Sequence, residues 1–308
     1  MKHKKLLYRL VLFVIVGAAV LFTNAADTES PKINAMLLTG QMNKYHDWHV
    51  TSARIEKLLE DSGRFEVTQV KSPARGEDMS SFKPNWKNYD VVILDYDGND
   101  WSEATQKSFE AYVADGGGFV VHHSSDNAFP NWKAFNQMIG VGGWGGRKKD
   151  YGPILRWRDG HQVLDFESDG GAIHPNKHDF QITVRDQTHP ITRGMPETWL
   201  HPHDEIYSRL RGPVAGTHIL ATATADSSMR NGTGEHEPML MTNYFGKGRI
   251  FHTTLGHVGM KESEPIRSIQ CVGYTVSLQH GAEWAATGNV SIPIPTAFPT
   301  ADKISIEK

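Results

Sequence analysis

Histidine dominates the chemistry this chain has available: 16 histidines stand against a single cysteine, Cys271. An imidazole changes charge near neutral pH and is the commonest metal ligand. One cysteine permits no intramolecular disulfide, no Cys-rich zinc or iron–sulfur site, and points to no disulfide-linked partner. Four groups of residues have the types and spacing to act. His46 and His49, in HDWH, are three apart. If that stretch is a helical turn, both rings share a face and could hold one divalent metal ion, with His123 or His257 as a third ligand. If it is a loop, one ring merely contacts a ligand. His122-His123-Ser124-Ser125-Asp126 follows an apolar run, where a strand-to-helix corner would lift a side chain into a cleft. Ser124 and Asp126 there are ligand-binding candidates, and equally good helix caps. Adjacent strand residues face opposite ways, so only one of His122 and His123 is expected to enter a site.

The third group is His201-Pro202-His203-Asp204-Glu205, where Asp204 and Glu205 could supply a general base, a metal ligand or sugar hydrogen bonds, or could form a solvated loop. The fourth is Gly256-His257. Arg147, beside the glycine-rich run 142–146, is a candidate anion contact. Trp48, Trp101, Trp132 and Trp144 could stack on sugar faces or could simply pack. Neither H-E-x-x-H nor G-x-S-x-G occurs, so a zincin protease and a serine-hydrolase elbow are not indicated.

The elements that must position these groups read as alternating strands and helices. Strands are expected at 33–39, 65–70, 89–94 and 119–122, with helices at 51–61, 103–114 and 131–139 between them. Such alternation predicts an α/β fold with a mostly parallel sheet covered on both faces. Further strands are expected at 180–184, 218–223, 239–244 and 249–254, then a closing helix over 263–280. Residues 140–179 break the pattern and read as an inserted loop region; residues 286–308 read as an extended tail. Ligands of open parallel sheets bind beyond the carboxyl ends of the strands. Polar residues follow four separate strands here, which predicts one shared site.

The 308 residues carry a net charge of -3, which argues against a general nucleic-acid binder. Lys2, Lys4, Lys5 and Arg9 precede an uncharged apolar run, and Thr23-Asn24-Ala25 offers small residues for cleavage. Residues 1–25 thus have the layout of a secretory signal. The chain is expected to be exported, periplasmic or extracellular; the alternative is a membrane anchor through residues 10–22.

Five segments, GQMNKYHDWHVTS, GGGFVVHHSSDNAFPNW, THPITRGMP, HPHDEIY and GRIFHTTLGHVG, together resemble the trehalose-utilisation (ThuA-like) family over nearly all of residues 31–285. That family belongs to the class I glutamine amidotransferase-like superfamily, so the resemblance implies a flavodoxin-like three-layer sandwich. It also implies a small carbohydrate ligand. The superfamily's cysteine nucleophile is replaced here by His123-Ser124; His257 matches the activating histidine, and Gly259 stands where the third acid would be. Thiol amidotransferase chemistry is therefore not expected. The reading is an enzyme of carbohydrate utilisation acting on a disaccharide or keto-sugar by acid–base or metal-assisted chemistry. His123, His257, Asp204 and Glu205 are its catalytic candidates. Trp48, His49, Ser124, Asp126 and Arg147 are ligand-binding candidates, and His46, His49, His123 and His257 are metal-ligand candidates. The alternative is a non-catalytic carbohydrate-binding protein on the same scaffold. Neither the metal nor the oligomeric state can be read from the sequence.

Overall fold

Each strand of the first half alternates its side chains between two hydrophobic layers. Ala35 and Leu37 of β1 (Ile33–Thr39) join one core, and Met36 and Leu38 join the other. All four are fully buried, the signature of a strand covered on both faces. The computed structural model describes residues 31–214, 216–263 and 265–307; the signal-peptide expectation for residues 1–25, and the alternative anchor at 10–22, lie outside them. No helix among the described residues is long and apolar enough to cross a membrane.

Helix α1 (Trp48–Asp61) places Ile55, Leu58 and Leu59 in the first core, and its N-cap Asp47 accepts from the His49 amide. After it come β2 (Phe65–Lys71), β3 (Val91–Leu94), α2 (Glu103–Ala114), β4 (Gly118–His122) and α3 (Lys133–Ile139). Helices α2 and α3 cover the opposite face, where Phe109, Val113, Phe135 and Met138 meet Phe119 and Val121. The segment then forms β5 (Ile154–Arg158), β6 (His161–Asp165), β7 (His178–Val184), β8 (Thr198–Asp204), β9 (His218–Thr224), β10 (His236–Phe245) and β11 (Gly248–Thr253). Two helices close the chain, α4 (Arg267–Gln270) and α5 (Val272–Thr287).

The eleven strands of the described residues form one sheet whose main path is β2-β1-β3-β4-β11-β10-β9-β7-β8. The expectation of a mostly parallel sheet is corrected: β2, β1, β3, β4 and β11 run parallel, but every pairing from β11 through β10, β9 and β7 to β8 is antiparallel. The physical reason is connection length. Strands β10 and β11 are separated only by Gly246 and Lys247, and a two-residue link can join only antiparallel neighbours. The fold is therefore α/β with a mixed sheet.

Residues 140–179 are not simply loop. They contain the β5–β6 hairpin, turned by Asp159 and Gly160, both at positive φ. That is the type I′ geometry that Asp-Gly favours. The hairpin attaches to β10 at His236↔Trp157. An ionic network of Arg156 and Arg158 with Asp165, Glu235 and Glu237 surrounds the junction. The closing helix is also displaced from its expected span. Cys271 has an extended backbone, which separates α4 from α5, and α5 runs on to Thr287. The tail after α5 has no regular element, and its Val290, Ile292, Ile294 and Phe298 pack on the core.

Helix α5 lies against β4 and β11 through a glycine: a Cβ at Gly281 would stand 2.0 Å from the Phe251 ring. Gly281→Ala should therefore destabilise the chain by about 1–3 kcal/mol through overpacking. Denaturant unfolding measures this, and unchanged stability would refute such close contact.

Candidate active site at the carboxyl edge of the parallel strands

The chain leaves β1 for β2 on one side and returns to β3 on the other, so the sheet reverses its order between β1 and β3. Such a point opens a crevice beyond the carboxyl ends of the strands. A cavity of about 750 Å³ lies here. Its walls come from the segment after β1 (Asn43, Tyr45, His46), after β3 (Asp97), after β4 (Asn127) and after β11 (His257). The antiparallel half supplies Glu205 and Tyr207, just beyond β8, and residues 140–179 supply Trp144, Gly145 and His174.

One anomaly in β8 brings the carboxylate in. Pro202 and His203 together oppose a single residue of β7, because His178 pairs with Asp204 while Phe180 pairs with His201. This bulge, with His203 at φ +45°, re-aims the chain next to the cavity. Asp204 turns inward and is fully buried. It accepts from His201 Nε2 at 2.8 Å and from the backbone N–H groups of Gly256 at 2.7 Å and His257 at 3.1 Å. It thereby fixes the loop carrying His257. Glu205 and Tyr207, two apart on an extended segment, both line the cavity.

At the cavity floor one ligand atom each of His46, His123, His257 and Glu205 lies within 4.8 Å of the others. His257 Nδ1 is 3.2 Å from Glu205 Oε2 and 3.3 Å from His123 Nε2. The Tyr207 hydroxyl stands 3.0 Å from His123 Nε2 and 3.2 Å from His46 Nε2. His123 itself has φ +44°, a left-handed conformation at the corner after β4, and its Nδ1 donates to the Thr254 carbonyl at 2.6 Å. A non-glycine residue held there costs conformational energy and marks a site that the surroundings over-determine.

Burial, aided by the neighbouring His257 ring, pushes the His46 imidazole down to about 3. Burial also holds His123 well below its ordinary value, with His46 and His257 adding to the effect. Both rings are therefore neutral at pH 7, with lone pairs available. Burial, then the Glu205 carboxylate, keeps the Tyr207 hydroxyl well above its ordinary range, so it stays protonated and can donate. Burial likewise raises the Asp97 carboxyl, against the opposing hydrogen bond from Asn43. Together the floor offers imidazole lone pairs, a carboxylate and a hydroxyl, a set able to move protons or to hold a cation.

The family model for trehalose utilisation matches residues 34–265. The chain belongs to the trehalose-utilisation (ThuA) family. A crystal structure of a ThuA-like protein from Parabacteroides merdae is similar at 43% identity and a TM-score of 0.86, over 90% of this chain and 98% of that one. A second, from Bacteroides uniformis, shares the fold at 16% identity and a TM-score of 0.55, over 85% and 94% of the two chains. No curated protein matches.

In this ThuA-family chain the sequence candidates divide. Glu205, His257 and His46 line the cavity; His123 stands immediately behind Tyr207 and His257. The paired-histidine expectation for His46 and His49 is corrected. His46 precedes the helix, whereas His49 lies within α1, is exposed, pairs with Asp47 and stacks on Trp48. Neither Trp48 nor His49 touches the cavity or the floor cluster. Asp204 is corrected from reacting group to positioning residue. Asp126 is buried under the cavity, 3.4 Å from His252 Nε2, and does not line it. Ser124 is buried and its hydroxyl meets Met42 sulfur.

Arg147 is no anion contact. It is 1% exposed and donates to the carbonyls of Asn127, Ala128 and Gly143 and to Asn136 Oδ1. Trp101 and Trp132 belong to the second core, and Trp144 is the tryptophan at the cavity. His122 faces the core, held by Asp95 and the Tyr274 hydroxyl. Sequence reasoning missed Tyr207, Asn43 and His174. Tyr207 had a signal, since it shares a side with Glu205 two residues earlier; His174 had none.

Two outcomes follow. Arg147→Ala strands three buried acceptors and one part-buried one, the Asn127 carbonyl, and should cost about 3 kcal/mol or more of stability, so denaturation rather than ligand affinity is the primary readout. The His201–Asp204 pair should make stability depend on pH. Burial opposes charge on His201, but the Asp204 hydrogen bond prevails and lifts it from 6.5 to about 9. Burial likewise opposes the Asp204 charge, and His201 still holds that carboxyl below its ordinary 3.8. The histidine's contribution is whole below pH 6.5 and fades as pH rises through about 9; the aspartate's is whole above 3.8 and fades as pH falls through its depressed value. Urea unfolding should show a decline from pH 6.5 to 9 that His201→Gln flattens; identical slopes in both proteins would refute the coupling.

Proposed function

We propose that this ThuA-family chain is an enzyme of carbohydrate utilisation that acts on a disaccharide or keto-sugar by acid–base or metal-assisted chemistry. One observation carries the reading: His46, His257, Glu205 and Tyr207 converge on a single cavity at the sheet's switch point. With no ion bound, the Glu205 carboxylate is placed to accept a proton from His257 Nδ1, which orients that imidazole. The Tyr207 hydroxyl is a fixed proton donor beside it. Tyr45 and Trp144 offer aromatic faces at the same cavity for a sugar ring.

Covalent thiol chemistry is a poor fit. The corner after β4 carries His123 and Ser124, and Cys271 is buried between α4 and α5. The reading is therefore of a protein whose parallel half is a flavodoxin-like unit related to glutamine amidotransferases, without their reaction. The basic and apolar layout of residues 1–25 supports export to the periplasm or the exterior.

The test is turnover of a panel of disaccharides and their keto derivatives, followed by chromatography. The wild-type chain should convert at least one, and His257→Ala and Glu205→Gln should each reduce kcat/KM by about 100-fold or more. Saturable sugar binding in calorimetry without any turnover would instead favour a carbohydrate-binding protein. Neither binding nor turnover would overturn the carbohydrate reading.

A further inference from the structure

The hydrogen-bond accounting at the cavity floor leaves more lone pairs than protons. Asn43 Nδ2 donates to Asp97 Oδ2 at 2.7 Å, and Asn43 Oδ1 accepts the Tyr45 N–H at 2.9 Å. The oxygen of this amide therefore faces His46 Nδ1, 2.8 Å away, and that nitrogen must carry the ring proton. His123 Nδ1 faces the Thr254 carbonyl and must carry its proton too. Both rings consequently turn a bare Nε2 lone pair toward the same spot. A ring that donates its far N–H to a fixed oxygen while presenting its other nitrogen is the usual outer-shell arrangement of a metal-binding histidine.

The side chains around that spot supply at most two protons for three acceptors, the two Nε2 atoms and Glu205 Oε2. The Tyr207 hydroxyl has one proton for the two Nε2 atoms it contacts. His257 Nδ1 has at most one, between Glu205 Oε2 and His123 Nε2. Donor atoms about 2.0–2.2 Å from a tetrahedral ion stand roughly 3.3–3.6 Å from one another. The separations of 3.2 and 3.3 Å around His257 Nδ1 are close to that spacing. The widest gap in the cluster, within 4.8 Å, would close as the side chains draw in on an ion.

We propose that His46, His123, His257 and Glu205 form a binding site for one divalent transition-metal ion at the floor of the cavity. Three imidazole nitrogens and a carboxylate oxygen suit zinc, manganese, iron(II) or nickel rather than calcium, which takes oxygen ligands. Three of the four ligands line the cavity, so the ion borders bound substrate. A carbonyl or vicinal hydroxyl oxygen of a keto-sugar is the matching substrate group, polarised by the ion as a Lewis acid. This substrate assignment rests on the carbohydrate reading above; the ion does not.

The test uses the full chain, purified without a histidine tag and loaded in turn with zinc, manganese, iron(II) and nickel ions. After dialysis, elemental mass spectrometry should find close to one ion per chain. His49→Ala should keep it, because His49 is an exposed residue of α1 outside the cluster. His46→Ala and Glu205→Gln should lower occupancy at least tenfold. Loss of under twofold in these two variants would place the ion elsewhere and overturn the proposal, as would an unmutated chain holding less than a tenth of an ion. Cobalt(II) loading gives a reading that needs no variant: visible ligand-field bands abolished by EDTA support the site, and their absence overturns it. Sugar turnover that persists in ion-free protein would remove the ion from the reaction and leave the acid–base reading standing. A bound ion without turnover on any sugar would leave the metal site standing and overturn the sugar-enzyme reading.

Discussion

The buried Asp204 carboxylate is the tie on which the cavity depends. It sits at the end of an edge strand in the antiparallel half, yet its oxygens accept from Gly256 and His257, in the loop that ends the parallel half. An isolated carboxylate would be very costly to bury there; this one is offset by the His201 imidazole and by backbone N–H groups. The pair therefore joins two regions of opposite strand polarity across the cavity floor. Because Glu205 follows directly, the tie also determines where the cluster's carboxylate stands.

What could be read in advance was whatever depends on local pattern. The alternation in β1, the helical spacing of Ile55, Leu58 and Leu59, and the pattern of α2 are all local; β1 and α2 keep their expected spans, and α1 begins three residues earlier than expected, at Trp48. The second half failed where pairing partners are distant. The antiparallel run from β11 to β8 depends on contacts that no short window contains, though Gly246-Lys247 did carry a hairpin signal. Asp159-Gly160 carried another, between two runs of strand-forming residues, and it went unread in a segment dominated by charged and aromatic residues.

At the site, the same division holds. Strand ends could be listed from the sequence, and His46, His123 and His257 did come together from three of them. Their fourth companion could not be chosen by spacing alone. His49 is three residues from His46, but Asp47 caps the helix between them and the two rings part. Glu205 reaches the cluster only because of a bulge at Pro202-His203, a feature with a signal in the proline but none in periodicity. Arg147 misled for another reason: a guanidinium beside glycines looks like an anion site, and here the anion's place is taken by backbone carbonyls.

The β5–β6 hairpin joins the main sheet through a strand pairing, an ionic cluster, the buried Leu155 and a bond from the Ile219 N–H to Gln162, while its flanking segments bring Trp144 and His174 to the cavity. The floor and the roof are thus carried by different parts of the chain. Evolution can exchange the side chains that this segment turns to the cavity, Trp144 and His174, without touching the buried Asp204 tie, while Arg147 and Leu155 stay fixed by burial. Within one architecture, recognition of the sugar and the chemistry performed on it can drift separately, so relatives that keep the floor need not share a substrate.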